Sequence, residues 1–211
     1  MSFSTNKDFL LPGDTRLNNV SREITSDEIG SKFLDSLCSR MEHIAMGERD
    51  AQHPDLPSLV GLAAPQVGRF VRVILFDIKT NASTTNLDPE IRFIINPRVI
   101  KASEERELGR EGCYSTGDVQ AVIRRHNSLT VRGLDRAGNA VSYDLEDFQA
   151  RIVQHEIDHL NGIRCPDRIE SLDCLHNVPK EEFQSYRESW ATWDKYYEIR
   201  DWLKMKGGGS V

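Results

Sequence analysis

The chain has 211 residues, 38% of them apolar and 28% charged, with a formal net charge of −6. That length suits one domain with its own core plus an appendage, and the acidic balance argues against a broad nucleic-acid face, so no specific nucleic acid is expected as a partner. No apolar run reaches the length of a membrane span, the opening "MSFSTNKDFLLPGD" reads as neither signal nor transit peptide, and Cys38, Cys113, Cys165 and Cys174 form no dense framework; a cytoplasmic protein with reduced thiols and no membrane contact is expected.

In chain order, "ITSDEIGSKFLDSLCSRMEHIAM" (24–46) predicts an N-terminal helix capped by Ser26, with Ile29, Phe33, Leu37, Met41 and Ile44 as its apolar stripe. "GERDAQHPDLPS" (47–58) is a polar loop with two prolines. "FVRVILFDI" (70–78) and "RFIINPRVI" (92–100) are β-rich runs joined by the polar "KTNASTTNLDPE" (79–90). "SLTVRGLDRAGNAVSYDL" (128–145) predicts a hairpin turning at "DRAGN". Residues 178–206 are expected to be helical again, with Phe183, Tyr186, Trp190, Trp193 and Tyr197 forming an aromatic face. That face packs on the domain, with a partner-binding helix as the alternative. "GGGSV" (207–211) is a flexible end.

The hairpin leads into "IVQHEIDHLNG" (152–162). Leu145, Phe148, Ile152, His155 and His159 recur at spacings that place them on one stripe facing the interior, and Asn161 with Gly162 ends the helix. Histidines at i and i+4 can hold a divalent metal, and the intervening Glu156 can then act as a general base. Two core histidines satisfied by neighbours are the plainer alternative. Two histidines leave a metal site one ligand short. Cys165 is one candidate, in a spacing that resembles the metzincin proteases with cysteine for the third histidine. Cys113, in "REGCYSTGD", is the other, presented from a strand edge.

Three stretches, "VGLAAPQVG" (60–68), "EGCYS" (111–115) and "QHEIDHLNG" (154–162), resemble the three signature motifs of peptide deformylases, in the right order. "LPGDTRLNNVSREIT", "IINPRVI" and "VRGLDRAGN" extend the likeness over about residues 11–170. The resemblance implies an α+β fold: antiparallel sheets packed around a central helix carrying HExxH, with an N-terminal helix and an additional C-terminal helix. Residues 1–170 would be the catalytic domain, 171–206 a helical extension packed on it, and 207–211 a flexible tail. The implied ligands of one divalent metal ion are Cys113, His155 and His159, a choice that sets Cys165 aside. Fe²⁺ is the implied ion in the cell, with Zn²⁺, Ni²⁺ or Co²⁺ able to replace it in a purified sample. Glu156 matches the general base and acid that moves the proton of the attacking water. Gln66, through its side-chain amide, and Tyr114, through its backbone N–H, match the oxyanion donors. Val60, Gly61 and Gly112 would take the peptide as an added strand, Phe148, Arg151 and Ile152 would line its first side-chain pocket, and Glu111 with Arg125 would brace the site. The implied reaction releases formate from N-formylmethionyl peptides, in transient contact with the ribosome.

The sequence departs from the family pattern at four places. Leu59 replaces a glycine, Tyr114 a leucine, "STGD" (115–118) a different loop run, and Arg151 an apolar pocket residue. Arg151 has two readings: its head reaches outward to solvent with the stem on the pocket wall, or it changes the preferred first side chain toward a carboxylate or amide. The departures also leave open a peptide binder without turnover, and an amidase acting on another N-acyl group.

Overall fold

The computed structural model describes residues 9–47, 59–81 and 88–209. The polar loop read over 47–58 lies outside them except for Gly47, as do residues 82–87 of the second polar connection and the last two residues of the tail. The fold is α+β with two antiparallel sheets. A five-stranded sheet runs in the order β1 (Gly61–Ala63), β2 (Val73–Asp77), β3 (Ile91–Ala102), β6 (Ser128–Leu134), β7 (Ala140–Glu146), and a three-stranded sheet in the order β4 (Arg106–Glu111), β5 (Val119–His126), β8 (Leu175–Asn177).

The five-stranded sheet explains the continuous apolar run of β2 (Val73–Asp77), which is buried at every position. Val73 and Leu75 face one core with helix α1 (Lys32–Met46), while Ile74 and Phe76 face a second core with helix α2 (Asp147–Leu160). A strand covered on both faces loses the apolar–polar alternation of a half-exposed one. β2 pairs with the short edge strand β1 (Gly61–Ala63) and with β3 (Ile91–Ala102). Asn96 interrupts β3 at φ 51°, and its side chain bonds both the N–H and the C=O of Ile24 at 2.8 Å, which fixes the register shift between Ile95 and Arg98. The expected hairpin forms as β6 (Ser128–Leu134) and β7 (Ala140–Glu146), closed by Asp135 N–H to Asn139 O at 2.8 Å.

Helix α1 spans Lys32–Met46, starting later than the sequence suggests. Ser31, not Ser26, caps it, accepting from Leu34 N–H at 3.2 Å. Gly30 at φ 73° turns the chain immediately before this cap, so 26–30 fold as turns. Helix α2 (Asp147–Leu160) lies on β1 and β2 and also touches β5 of the smaller sheet, so it sits between the two sheets. Leu145, expected on its stripe, belongs to β7 and is buried in the same core. Gly162 at φ 71° ends α2, with its N–H on His159 O and that of Ile163 on Asp158 O.

The three-stranded sheet consists of β4 (Arg106–Glu111), β5 (Val119–His126) and β8 (Leu175–Asn177). Beyond it the single helix read over 178–206 is corrected to two short ones, α3 (Phe183–Ser189) and α4 (Ile199–Lys206). Between them the chain extends beside β8: Asn177 N–H bonds Lys195 O at 2.8 Å and Tyr197 N–H bonds Leu175 O at 2.9 Å. Pairing with a strand satisfies these backbone groups and overrides the helical spacing of the aromatics. The buried anchors are Tyr186 and Trp202, each 0% exposed, while Trp190, Trp193 and Tyr197 are only partly covered.

Candidate active site

Helix α2 and the turn after β4 meet at one point. His155 and His159, one turn apart, bring their Nε2 atoms to 3.2 Å, and Cys113 Sγ lies 3.7 Å from His159 Nε2. Ligand atoms of a tetrahedral divalent centre with ordinary metal–N and metal–S bonds stand about 3.4 Å (N to N) and about 3.6 Å (N to S) apart, so this donor set fits one such ion. Among the described residues it is the only group of three such side chains within reach of one ion. Cys165 is outside it, 1% exposed in an apolar cluster with Ala121 and Ile123.

The local chain holds each ligand. Cys113 sits in a tight turn whose keeper is Thr116: its hydroxyl accepts from Cys113 N–H at 3.2 Å and donates to Cys113 O at 2.9 Å. The unusual "STGD" run therefore builds this turn. His155 Nδ1 hydrogen-bonds Glu111 Oε2 at 2.9 Å, which directs Nε2 at the cluster. Glu111 is held in turn by Arg125, through Nε at 3.0 Å and Nη2 at 2.9 Å, and by Arg151 Nη1 at 3.0 Å. Arg125 also bonds Asp158 at 2.6 Å. Burial opposes ionisation of Glu111, but the hydrogen bonds from His155 and Arg125 outweigh it and hold the carboxyl well below its usual range. Burial keeps His159 well below the ordinary histidine value, so its ring is neutral, as a metal ligand must be. Burial also opposes a proton on His155, but hydrogen bonds with Cys113 and Glu111 raise it well above that value. A metal taking this nitrogen therefore displaces a proton.

Glu156, on the next position of α2, is treated differently. It is 4% exposed, its Oε2 has no hydrogen-bond partner among the described residues, and burial pushes its carboxyl up to about 7. Gly61 of β1 makes room for it: a Cβ there would meet Glu156 Oε1 at 2.5 Å. Gln66 stands opposite in a 3-10 turn, Ala64–Val67. Its Oε1 accepts from Ala63 N–H at 2.8 Å, which fixes the amide with Nε2 3.4 Å from Ser115 Oγ.

An open cleft of about 230 Å³ brings these groups together. Val60, Gly61, Gln66, Glu111, Gly112, Cys113, Tyr114, Phe148, Arg151, Ile152, His155 and Glu156 line it, while His159 and Arg125 lie behind the wall. Leu59 lines it as well. The head of Arg151 does not reach out to solvent. Only 11% of its side chain is exposed, and its head bonds Glu111 together with the carbonyls of Glu107 at 2.8 Å and Ile123 at 3.2 Å. Sequence reasoning missed Phe9, whose ring stacks on Tyr114 at 4.7 Å, Ser115 beside Gln66, and Asp158. Asp158 left a signal: it lies within the quoted motif, three residues after His155 and so on a neighbouring stripe of α2.

The sequence profile of the polypeptide deformylase family matches residues 7–174. Peptide deformylase 1 of Vibrio vulnificus is 34% identical over 155 residues, 74% of this chain and 81% of that protein. The peptide deformylase of Brachyspira hyodysenteriae is 31% identical over 198 residues, 94% of this chain and 98% of its own. Among solved structures, a class I type b peptide deformylase from Acinetobacter baumannii superposes with a TM-score of 0.65 at 33% identity, covering 77% of this chain and 97% of that one. The same enzyme has been seen with Met-Ala-Ser bound, at a TM-score of 0.64. With its three motifs gathered in one cleft and its profile matched over most of its length, the chain belongs to the polypeptide deformylase family of enzymes.

Proposed function

We propose that this chain hydrolyses the N-formyl group of formyl-methionine at the start of newly made polypeptides, releasing formate and a free α-amine. The observation that carries this reading is Glu156: a buried carboxylate with an orphaned oxygen, beside a Cys-His-His cluster and facing a cleft.

A divalent ion held by Cys113, His155 and His159 would supply Lewis acidity, acidifying a water and polarising the formyl oxygen. Fe²⁺ is the resident ion in this reading; Zn²⁺, Ni²⁺ and Co²⁺ share the same donor preferences. Glu156 accepts a proton from the water as its oxygen adds to the formyl carbon. As the C–N bond breaks, Glu156 returns the proton to the leaving amine nitrogen and formate departs. Gln66 Nε2 and the backbone N–H of Tyr114 donate to the oxygen on which negative charge develops. Glu111 and Arg125 keep His155 oriented.

The peptide lies between two sheet edges. β1 ends one sheet and β4 the other, so Val60, Gly61 and Gly112 offer main-chain groups to an added strand. Main-chain recognition accepts many sequences after the first residue. Phe148, Ile152 and the stem of Arg151 line the pocket for the first side chain. We assign residues 1–170 to the catalytic domain, 171–206 to a packed extension and 207–211 to a tail, and place the protein in the cytoplasm in transient contact with ribosomes. No helix among the described residues is long and apolar enough to cross a membrane.

Formate release from formyl-Met-Ala-Ser by the Fe²⁺-loaded protein under anaerobic conditions tests the reading, with acetyl-Met-Ala-Ser alongside. Turnover of the formyl peptide is expected. Binding without formate would make the protein a peptide-binding module, and preferential acetate release would make it an amidase for another acyl group.

A further inference from the structure

Arg164 is 0% exposed, yet among the described residues no carboxylate accepts from its guanidinium and its Nε has no partner. Its head bonds Pro12 O at 2.5 Å, Asn18 Oδ1 at 3.0 Å and Ser115 O at 3.2 Å, and it stacks 4.6 Å from the ring of Trp202 on α4. A buried cation whose head bonds only carbonyl oxygens, with the Asp167 carboxylate near but not in contact with it, is costly, and an apolar residue would fill the space at lower cost. What an apolar residue cannot supply is donors for these carbonyls.

Helix α4 lies beyond the residues that match the family profile, and it clamps this arginine. Asp167 accepts from Arg164 N–H at 2.9 Å, from Trp202 Nε1 at 3.0 Å and from Lys206 Nζ at 2.7 Å. Asn18 holds the far end, bonding Lys206 O at 2.9 Å. On the other side of Arg164, Ser115 belongs to the turn that carries Cys113, and its hydroxyl is the partner of Gln66 Nε2. A contiguous chain of contacts thus runs from α4 to the amide facing the cleft.

We propose that Arg164 is a positioning residue for the reaction: clamped under α4, it fixes the turn at Ser115 and through it the amide of Gln66. The role of Gln66 rests on the deformylase reading; the fixing of the turn does not. Two measurements separate them. In Arg164→Met, amide hydrogen exchange at residues 113–117 speeds up, with or without metal. In the same variant kcat for formyl-Met-Ala-Ser falls about tenfold with KM within about twofold, because a donor displaced by a fraction of an ångström loses part of its value. In a Gln66→Ala background the same exchange costs nothing further. A purely structural arginine would give equal losses in both backgrounds, and that result, or unchanged exchange at the turn, overturns the proposal. If Arg164→Met does not fold, Trp202→Phe loosens the clamp by removing the indole N–H bond to Asp167 while keeping an aromatic ring there; a smaller kcat loss that again vanishes without Gln66 is then expected, and equal losses overturn it. A wild-type protein that releases no formate would sink the deformylase reading, while the exchange arm still decides whether Arg164 holds the turn.

Discussion

Glu111 and Glu156 flank His155 from opposite walls of the cleft, 7% and 4% exposed respectively. On the β4 wall, Glu111 accepts from His155, Arg125 and Arg151 and is held well below the usual carboxyl range. On the wall made by α2 and β1, Glu156 keeps one oxygen without a partner, and burial pushes it up to about 7. Similar burial thus gives opposite outcomes, because hydrogen-bonded cations favour the charged form and bare burial disfavours it. A carboxylate with every lone pair committed can orient a neighbour but cannot exchange protons near neutral pH. One that is buried and unspent can do so.

Replacing each glutamate by glutamine tests this contrast directly. Glu111→Gln leaves Arg125 and Arg151 facing a neutral amide in a buried site, which costs about 3–5 kcal/mol of stability. The melting midpoint of the protein should fall by about 10 °C, read by calorimetry at matched metal content. Glu156→Gln removes no ion pair, so its midpoint should stay level or rise while metal remains bound. Its kcat should drop at least about 100-fold, the usual loss of a general base. Equal midpoints for the two variants, or near-normal turnover by Glu156→Gln, would erase the distinction between the walls.

The sequence showed the two walls unequally. The α2 wall was legible because both histidines and Glu156 fall within one turn of one helix, where spacing alone fixes the face. The β4 wall was not: β4, β5 and β8 escaped notice, since Arg106–Glu111 is polar and β8 has three residues. From spacing, Cys113 and Cys165 were equal candidates for the third ligand, and only the family resemblance chose between them. The hairpin was readable from its "DRAGN" turn, whereas the C-terminal layer was misread because its backbone pairing with β8 has no local signature. The Arg164 contacts join residues as far apart as Pro12 and Trp202, beyond any periodicity argument.

The cysteine choice gives a smaller and sharper test. Cys113→Ser puts a hard hydroxyl where a soft thiolate stands, so affinity for Zn²⁺ should fall by at least about tenfold and the preference among metals should shift. Cys165→Ser, in the apolar cluster behind the site, should leave metal content per folded chain unchanged. Metal analysis after dialysis against a weak chelator reads both. An emptied site in Cys165→Ser with a full one in Cys113→Ser would place the third ligand wrongly.

Arg151 is where the smallest effect is expected, and it bears on how far the β4 wall reaches into substrate selection. A guanidinium free in the first side-chain pocket would cost formyl-Met peptides one or two methylene contacts, about 1–2 kcal/mol or roughly five- to thirtyfold in kcat/KM. It would also favour a carboxylate at that position. The head of Arg151 is instead committed to Glu111 and to the carbonyls of β4 and β5, with its side chain 11% exposed. A substrate carboxylate would have to draw it away from partners already within hydrogen-bond distance. Arg151→Ile should therefore change the ratio of kcat/KM for formyl-Met over formyl-Glu peptides by less than about threefold. The melting midpoint should fall as well, though less than in Glu111→Gln, because Arg125 still makes both its bonds to Glu111. A tenfold swing in the substrate ratio would return Arg151 to the pocket and make the β4 wall a determinant of specificity as well as a brace for His155.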